Sequence, residues 1–456
     1  KVDLDNNEIK LKDVEFEVYD EKENVVDKLK TDQNGEAVSK RLPIDQKYTV
    51  KETKTGNTYV LNEEPQIVTL KEDQITDITF TNEKKKGQIK VIKVDLDNNE
   101  IKLENVEFKV YDEKGNVVDN LKTDKNGEAI SKRLPIDQKY IVQESKTLET
   151  YVLNEEPQTV TLTQNQITDI QFENEKIKGK IEITKISADD NKLTGETKGT
   201  KLDGAIFEIY NEKDELVDTI TIEKGIGTSK LLEKGKYYIK EINSGSDNYL
   251  LNTEKYEIEI EEHMKTVSIT IENTSVDIGL DIDKNGIIQA QPNDEIKYGF
   301  NSLKNTSNVS LDNFTWSDNL PYNYVRITKL FTGTYNEDLD YIVKYKTNKS
   351  EDYKEYGTYN TQKNNYIDFT KVELAEDEFI TDFKVEFGTV MPGFEAVEKP
   401  FIFAKVLPTV QPEDRWINYT NLTGNYKEHE LEDKAEWPTI SYGKKLEIKK
   451  LPRTGY

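Results

Sequence analysis

The sequence predicts an all-β protein, with tandem antiparallel β-sandwich modules followed by a larger β-sandwich domain. Two observations predict the modules. The chain repeats itself at a fixed spacing, and apolar residues alternate with polar ones over short runs that turn signals interrupt. A third observation argues against a helical fold, because no stretch sustains the apolar stripe of an amphipathic helix. A chain of 456 residues has room for three or four domains of ordinary size.

The repeats set the predicted domain boundaries. Residues 1–84 and 93–176 align without a gap and differ at 18 of 84 positions, and a divergent third copy runs from about residue 179 to residue 273. The first two copies carry Asn-Gly within DQNGEA and DKNGEA, a strong signal for a β-hairpin. We therefore predict three immunoglobulin-like modules, a larger β domain and a tail, at residues 1–84, 85–176, 177–274, 275–441 and 442–456.

The composition narrows the classes of function. A formal net charge of −25 argues against binding to nucleic acid or anionic lipid, since both select positively charged patches. The chain has no cysteine and only two histidines, so neither a disulfide nor a Cys- or His-rich metal site is predicted, and no cofactor is implied. No apolar run has the length of a signal segment or a membrane span, and the first residue is Lys1. We therefore expect a fragment of a longer, exported protein.

The first strand of the later copies places a lysine at the end of an apolar row. Side chains two residues apart share one face of a strand, so the row and its lysine point the same way. The rows are Ile89, Val91 and Lys93 in the second copy, and Ile181, Ile183 and Lys185 in the third. Both lysines are therefore predicted to point into a core.

Two further strands follow the same rule. The last strand of each copy ends its apolar row in asparagine, and a middle strand ends its row in glutamate. The asparagines are Asn82, Asn174 and Asn273, and the glutamates are Glu52, Glu144 and Glu241. The pattern predicts that a lysine, a glutamate and an asparagine meet inside each module.

Such groups must satisfy one another or react, because burying an unpaired charge is costly. Apolar burial lowers a lysine pKa and raises a glutamate pKa. A neutral amine can then attack the asparagine carbonyl, while a protonated glutamate polarises that carbonyl and shuttles protons as ammonia leaves. The product is an amide bond between the first and last strands. The pattern leaves two alternatives open, an unreacted hydrogen-bonded trio and strand ends that already meet water.

The three copies resemble the collagen-adhesin B-type repeat, also called the SpaA-type or prealbumin-like pilin module. The resemblance rests on the lysine-bearing first strand, the GAIFEIY-like second strand, the NGEA turn followed by RLP and KY, the YTVKET segment and the closing strand that ends in asparagine. It covers residues 1 to about 273 and implies intramolecular Lys–Asn isopeptide bonds, each promoted by a glutamate. The implied trios are Lys1, Glu52 and Asn82; Lys93, Glu144 and Asn174; and Lys185, Glu241 and Asn273. The first copy begins at Lys1, so the front of its first strand is absent.

The tail carries a second specific motif. LPRTG resembles the recognition pentapeptide of sortases, and its residues are Leu451, Pro452, Arg453, Thr454 and Gly455. The resemblance implies cleavage between Thr454 and Gly455 and transfer of Thr454 to the cell wall or to a pilin. Sortase and peptidoglycan are therefore expected partners, and the cell surface of a Gram-positive bacterium is the expected location. The hydrophobic segment that usually follows this motif is missing, as expected for a fragment.

Residues 275–441 resemble a β domain of uncharacterised function from bacterial surface proteins. We assign VDIGLDI as its first strand, and because this run has no inward lysine, no cross-link is predicted there. DIDKNG, from Asp281 to Gly286, begins like a calcium-binding EF-hand loop. Pro292 stands where that loop needs a bidentate glutamate, so we interpret DIDKNG as a turn.

These features predict a structural and adhesive surface protein that is anchored to peptidoglycan and stiffened by isopeptide bonds. The alternative is a minor or basal pilin subunit of a sortase-assembled pilus, although the chain has no YPK-like donor motif. An enzyme acting on an external substrate is not expected, because the sequence offers no nucleophile–histidine pair, metal cluster or convincing carboxylate pair. Family association leaves a host extracellular-matrix protein open as a ligand.

Overall fold

The computed structural model describes residues 1–442 and confirms the predicted all-β fold. These residues form 36 strands and one short 3-10 helix, Phe369–Lys371. No helix in this part of the chain is long and apolar enough to cross a membrane.

The described residues group into two compact units. The first contains residues 1–180, 230–237 and 258–267, and the second contains residues 181–229, 238–257 and those from 268 onward. Strands of the third copy contribute to both units.

The first copy has six strands. Their bounds are β1 Val2–Asp3, β2 Glu15–Tyr19, β3 Val25–Lys30, β4 Lys47–Lys54, β5 Gln66–Thr69 and β6 Thr81–Asn82. Four of them form an antiparallel sheet in the order β3-β2-β4-β5, and β1 pairs in parallel with β6. Phe16 and Phe80 pack at 5.0 Å between ring centroids in the core of this copy.

The second copy shows the sandwich in full. Its strands are β7 Lys86–Asp95, β8 Glu107–Tyr111, β9 Val117–Lys122, β10 Glu128–Ile130, β11 Leu134–Pro135, β12 Lys139–Lys146, β13 Gln158–Thr161 and β14 Ile167–Asn174. One sheet has the order β13-β12-β8-β9. In the other, β7 pairs with β10, β11 and β14. Because side chains alternate between the two faces of a strand, Val91, Phe108, Tyr140 and Phe172 all point into one shared core.

The third copy repeats this order of strands. They are β15 Lys178–Ser187, β16 Ile206–Asn211, β17 Leu216–Thr221, β18 Ile226–Thr228, β19 Leu232–Glu233, β20 Gly235–Asn243, β21 Lys255–Ile260 and β22 Thr266–Asn273. The sheet order β17-β16-β20-β21 matches that of the second copy, and β15 pairs with β18, β19 and β22.

The C-terminal domain is a larger sandwich. Its strands are β23 Leu280–Gly286, β24 Gln289–Ala290, β25 Glu295–Asn305, β26 Leu311–Asn319, β27 Val325–Phe331, β28 Thr334–Tyr335, β29 Asp340–Thr347, β30 Ser350–Asn360, β31 Tyr366–Asp368, β32 Ile380–Val390, β33 Ala396–Glu398, β34 Phe401–Val406, β35 Arg415–Tyr426 and β36 His429–Ser441. The domain has a five-stranded sheet, β23-β25-β34-β27-β31, a seven-stranded sheet, β24-β36-β35-β26-β32-β29-β30, and a separate two-stranded sheet, β28-β33. Aromatic side chains dominate the core, with Trp316 in edge contact with Phe300 and Phe383.

One interpretation of the sequence is wrong, because residues 281–286 do not form a turn. They lie in β23, which pairs with β25 along its whole length. Ile282 and Lys284 are buried while Asp281 and Asp283 are exposed, so this strand does carry an inward lysine, contrary to the prediction. The error has a physical cause: Asp, Asn and Gly favour turns locally, whereas pairing with β25 holds them in an extended strand.

The Asn-Gly turn of the second copy does not close a hairpin. Gly127 has a φ of 69°, in the left-handed region that glycine tolerates. The turn joins β9 to β10, but β9 pairs with β8 whereas β10 pairs with β7. The chain therefore passes from one sheet to the other at this turn, and the hairpin prediction is wrong here.

Candidate functional site

The second copy brings its predicted lysine, glutamate and asparagine into one buried cluster. Lys93 Nζ lies 2.8 Å from Glu144 Oε2 and donates a hydrogen bond to Asn174 Oδ1. Asn174 Nδ2 donates to the other carboxyl oxygen, Glu144 Oε1, at 2.6 Å. The side chains of Lys93 and Glu144 are fully shielded from solvent. Amine, carboxyl group and amide thus form a closed ring of contacts.

Strand pairing and one tight turn position Lys93. β7 and β14 run parallel, with Lys93 opposite Phe172 and Asp95 opposite Asn174, so the lysine and the asparagine are diagonal neighbours. Lys93 N donates to Gly127 O at 2.7 Å, and a Cβ on Gly127 would lie 2.4 Å from Lys93 O. Only glycine allows this close approach, so the NGEA turn fixes the backbone of the lysine.

Glu144 reaches the cluster from the other sheet. It follows Tyr140 and Val142 on the buried face of β12. Thr147 Oγ1 accepts a second hydrogen bond from Asn174 Nδ2 at 2.7 Å. Because two acceptors hold the amide nitrogen, the amide carbonyl is turned toward Lys93.

Burial also sets the protonation of the amine. The Lys93 Nζ atom lies 5.9 Å from the centroid of the Phe172 ring. Desolvation lowers the pKa of Lys93, and the contact with Glu144 offsets this only in part. A lowered pKa increases the population of neutral amine, which is the nucleophilic form.

The contacts define what the cluster can do chemically. Glu144 touches both the attacking amine and the amide nitrogen that would leave, through different oxygens. A carboxyl group in that position can pass a proton from the amine to the departing nitrogen. The sequence predicts a contact between the carboxyl group and the asparagine carbonyl, but that carbonyl oxygen accepts its hydrogen bond from Lys93 instead.

The first copy contains the same cluster, although β1 has only two residues. Lys1 Nζ lies 2.5 Å from Glu52 Oε2 and donates to Asn82 Oδ1. Asn82 Nδ2 donates at 2.6 Å to both Glu52 Oε1 and Thr55 Oγ1. Burial lowers the pKa of the Lys1 side chain. The terminal amine of Lys1 donates to Gly35 O at 2.5 Å, as the backbone amide of Lys93 does to Gly127 in the second copy.

The third copy differs in how its carboxyl group is used. Lys185 Nζ and Asn273 Nδ2 both contact Glu241 Oε1, at 3.0 and 3.1 Å, and Lys185 donates to Asn273 Oδ1. Glu241 Oε2 accepts from the backbone nitrogen of Asn252 at 2.7 Å. Burial lowers the pKa of Lys185, whose amine lies 5.4 Å from the Phe207 ring centroid. A single carboxyl oxygen therefore bridges amine and amide here.

The threonines that hold the amide in the first two copies are not among the residues predicted from the sequence. Thr55 and Thr147 each lie three residues after the cluster glutamate. Their recurrence at a fixed distance from Glu52 and Glu144 is the signal that could have found them.

The predicted sortase motif, from Leu451 to Gly455, lies outside the described residues. Within residues 1–442, no group of three or more His, Cys, Asp or Glu side chains could hold a metal ion.

Fold and clusters together define a class of protein, tandem prealbumin-like β-sandwiches with an amine, a carboxyl group and an amide buried in each repeat. The family model for the SpaA prealbumin-like fold domain matches residues 1–84, 87–176 and 179–275. The chain belongs to this family.

Three relatives illustrate the similarity. The trypsin-resistant surface T6 protein of Streptococcus pyogenes serotype M6 is 34% identical over 134 residues, which is 29% of this chain and only 23% of that protein. The solved structure of the Bacillus anthracis TIE protein shares 33% identity at a TM-score of 0.46, over 58% of this chain and 48% of the other. GBS52, the minor pilin of Streptococcus agalactiae, shares 20% identity at a TM-score of 0.20, over 41% of this chain and 96% of the other. Because these TM-scores are low, the family assignment rests on the matched repeats.

Proposed function

We propose that this chain is a structural protein of a Gram-positive cell surface, whose three repeats are each stiffened by an intramolecular Lys–Asn isopeptide bond. The observation that carries the proposal is one set of contacts, amine to carboxyl group to amide, in the interior of all three repeats. The T6 relative is a surface protein, which supports the same location for this chain.

Formation of the amide bond would remove an energetically unfavourable buried ion pair. Desolvating a buried ion pair often costs more than the attraction between its charges returns. In the proposed step, the lysine Nζ attacks the asparagine Cγ, the Nζ–Cγ bond forms and the Cγ–Nδ2 bond breaks. The glutamate carries the proton from the amine to the leaving nitrogen, which departs as ammonia. A neutral amide then replaces the lysine charge, and no oxidant is needed.

Peptide mapping tests the bonds one repeat at a time. We expect a protease digest of the chain to contain branched peptides that join Lys93 to Asn174 and Lys185 to Asn273, each lighter than its two parts by one ammonia. Lys93→Ala and Lys185→Ala should each abolish only their own branched peptide. Lys90→Ala, on the outer face of β7, is a matched control and should change neither. Linear peptides with intact Asn174 and Asn273 in the wild type would refute the proposal.

We further propose that LPRTG is a sortase substrate that joins the chain to peptidoglycan. Sequence alone supports this part. Incubation with a sortase and a glycine peptide should cut between Thr454 and Gly455 and leave the glycine peptide on Thr454. A Thr454→Ala variant serves as the control and should not react. An uncut wild-type chain would contradict the anchoring proposal without affecting the isopeptide bonds.

A further inference from the structure

The C-terminal domain buries a lysine, an aspartate and an asparagine together, outside the three family repeats. Lys284 is 3% exposed, and Asp318 and Asn418 are both 0% exposed. Lys284 Nζ donates a hydrogen bond to Asp318 Oδ2, and the two side chains are fully shielded from solvent. The family match ends at residue 275, so no repeat accounts for this cluster.

Two sheets contribute to the cluster. β23, at the edge of the five-stranded sheet, supplies Lys284, whereas β26 and β35 of the seven-stranded sheet supply Asp318 and Asn418. Asp318 pairs with Thr420, so Asn418, two residues away, is its diagonal neighbour on the same face. Here the lysine side chain extends from one sheet to the other, so the carboxyl group lies on the same sheet as the asparagine and the shorter side chain of aspartate is long enough. In the second repeat it is the glutamate that extends from one sheet to the other.

Asn418 is a buried side chain of this core whose two polar atoms are both unpaired in the described part of the chain. Within residues 1–442, Asn418 Oδ1, Asn418 Nδ2 and Asp318 Oδ1 make no hydrogen bond of normal geometry, although Asn418 lies close enough to Asp318 to lower the pKa of its carboxyl group. Native proteins leave few buried polar groups unpaired, because each one forfeits its hydration without compensation. Loss of the amide nitrogen would remove one of these unpaired groups, and a protonated Asp318 could donate to the carbonyl that remains.

The surroundings favour the protonation states that amide formation needs. Lys284 Nζ lies 4.9 Å from the centroid of the Phe300 ring and 5.5 Å from that of Tyr298. Desolvation lowers the pKa of Lys284. It also raises the pKa of Asp318, against the opposing effects of Lys284 and then Asn418. Both shifts favour a neutral amine beside a protonated carboxyl group.

We propose that Lys284 and Asn418 form a fourth isopeptide bond, with Asp318 as the acid–base group. Lys284 Nζ attacks Asn418 Cγ, the Nζ–Cγ bond forms and the Cγ–Nδ2 bond breaks. Asp318 passes the proton of the amine to the departing nitrogen, which leaves as ammonia, so no oxidant or cofactor takes part. The bond joins the first strand of the domain, β23, to its penultimate strand, β35. It applies the chemistry proposed for the repeats to a separate site, and either proposal can hold without the other.

Peptide mapping of the full wild-type chain tests this bond directly. We expect a branched peptide that joins Lys284 to Asn418 and is one ammonia lighter than its two parts. Asp318→Asn removes the acid–base group at nearly constant volume and should slow formation of the branched peptide after refolding about 100-fold. Lys297→Met, whose side chain is exposed on the neighbouring strand β25, is the matched control and should leave the bond intact.

The outcomes are separable. Linear peptides with intact Lys284 and Asn418 in the folded wild type would overturn the proposal, and this readout does not depend on whether any variant folds. An undiminished branched peptide in Asp318→Asn would overturn the role of Asp318. The same digest reports the peptides of the three repeats, so failure at this site is distinguished from failure at theirs.

Discussion

Glu144→Gln is expected to leave the second repeat folded but unlinked, and to lower its free energy of unfolding by about 4–5 kcal/mol. Lys93 and Asn174 are 81 positions apart, and closing so long a loop covalently removes entropy of this order from the unfolded chain in the treatment used for disulfides. For a module of about 90 residues, the corresponding fall in Tm is about 20–30 °C.

Glutamine is the informative substitution because it cannot carry the proton, although it also removes the negative charge beside Lys93 and one of the two acceptor oxygens. Its side chain keeps the volume of Glu144 and still offers an acceptor to Lys93, so no cavity forms. Calorimetry of the full chain, compared with the wild type, should show one transition shifted to lower temperature, while peptide mapping shows the unlinked Lys93. Glu155→Gln, at an exposed position of the same copy, should move Tm little. A Glu144→Gln variant with an unchanged Tm and an intact branched peptide would remove the carboxyl group from the mechanism.

The sequence predicts the clusters of the repeats because alternation is strict where one face of a strand is buried. Ile89 and Val91 fix the phase of the first strand, so Lys93 must point inward with them. The same reasoning applies to Glu144 and Asn174. Their meeting from three different strands could not be derived from local patterns, since it depends on which strands pair.

The cluster of the C-terminal domain could be predicted from strand alternation only in part. In β23 an apolar residue precedes Lys284 on the buried face, and in β26 Phe314 and Trp316 precede Asp318 on the buried face. Part of the alternating pattern was therefore present in the sequence. The turn-forming residues after Asp281 made the alternating pattern of β23 hard to recognise in the sequence. Asn418 gives no comparable signal, because it lies in the middle of a buried row that also contains Thr420. Its role emerges only from the pairing of β26 with β35.

The second large effect is mechanical. Under tension applied to the chain ends, we expect the Glu144→Gln repeat to release an additional length of about 270–290 Å that the wild-type repeat does not release. The figure follows from the 81 positions between Lys93 and Asn174, each of which contributes about 3.3–3.6 Å when extended. Single-molecule force spectroscopy on the full chain measures this length directly, with Glu155→Gln as the control.

The pairing of the first and last strands of the repeat explains why the wild-type repeat should release none of this additional length. β7 and β14 run parallel, so tension that enters at the start of β7 and leaves at the end of β14 shears the hydrogen bonds between them. An amide bond between Lys93 and Asn174, near the end of both strands, carries that tension past every residue between them. Hydrogen bonds then bear no load in the enclosed segment, and it cannot extend unless a covalent bond breaks. A wild-type chain that releases this length at forces typical of β-sandwich unfolding would therefore exclude the link in the second repeat.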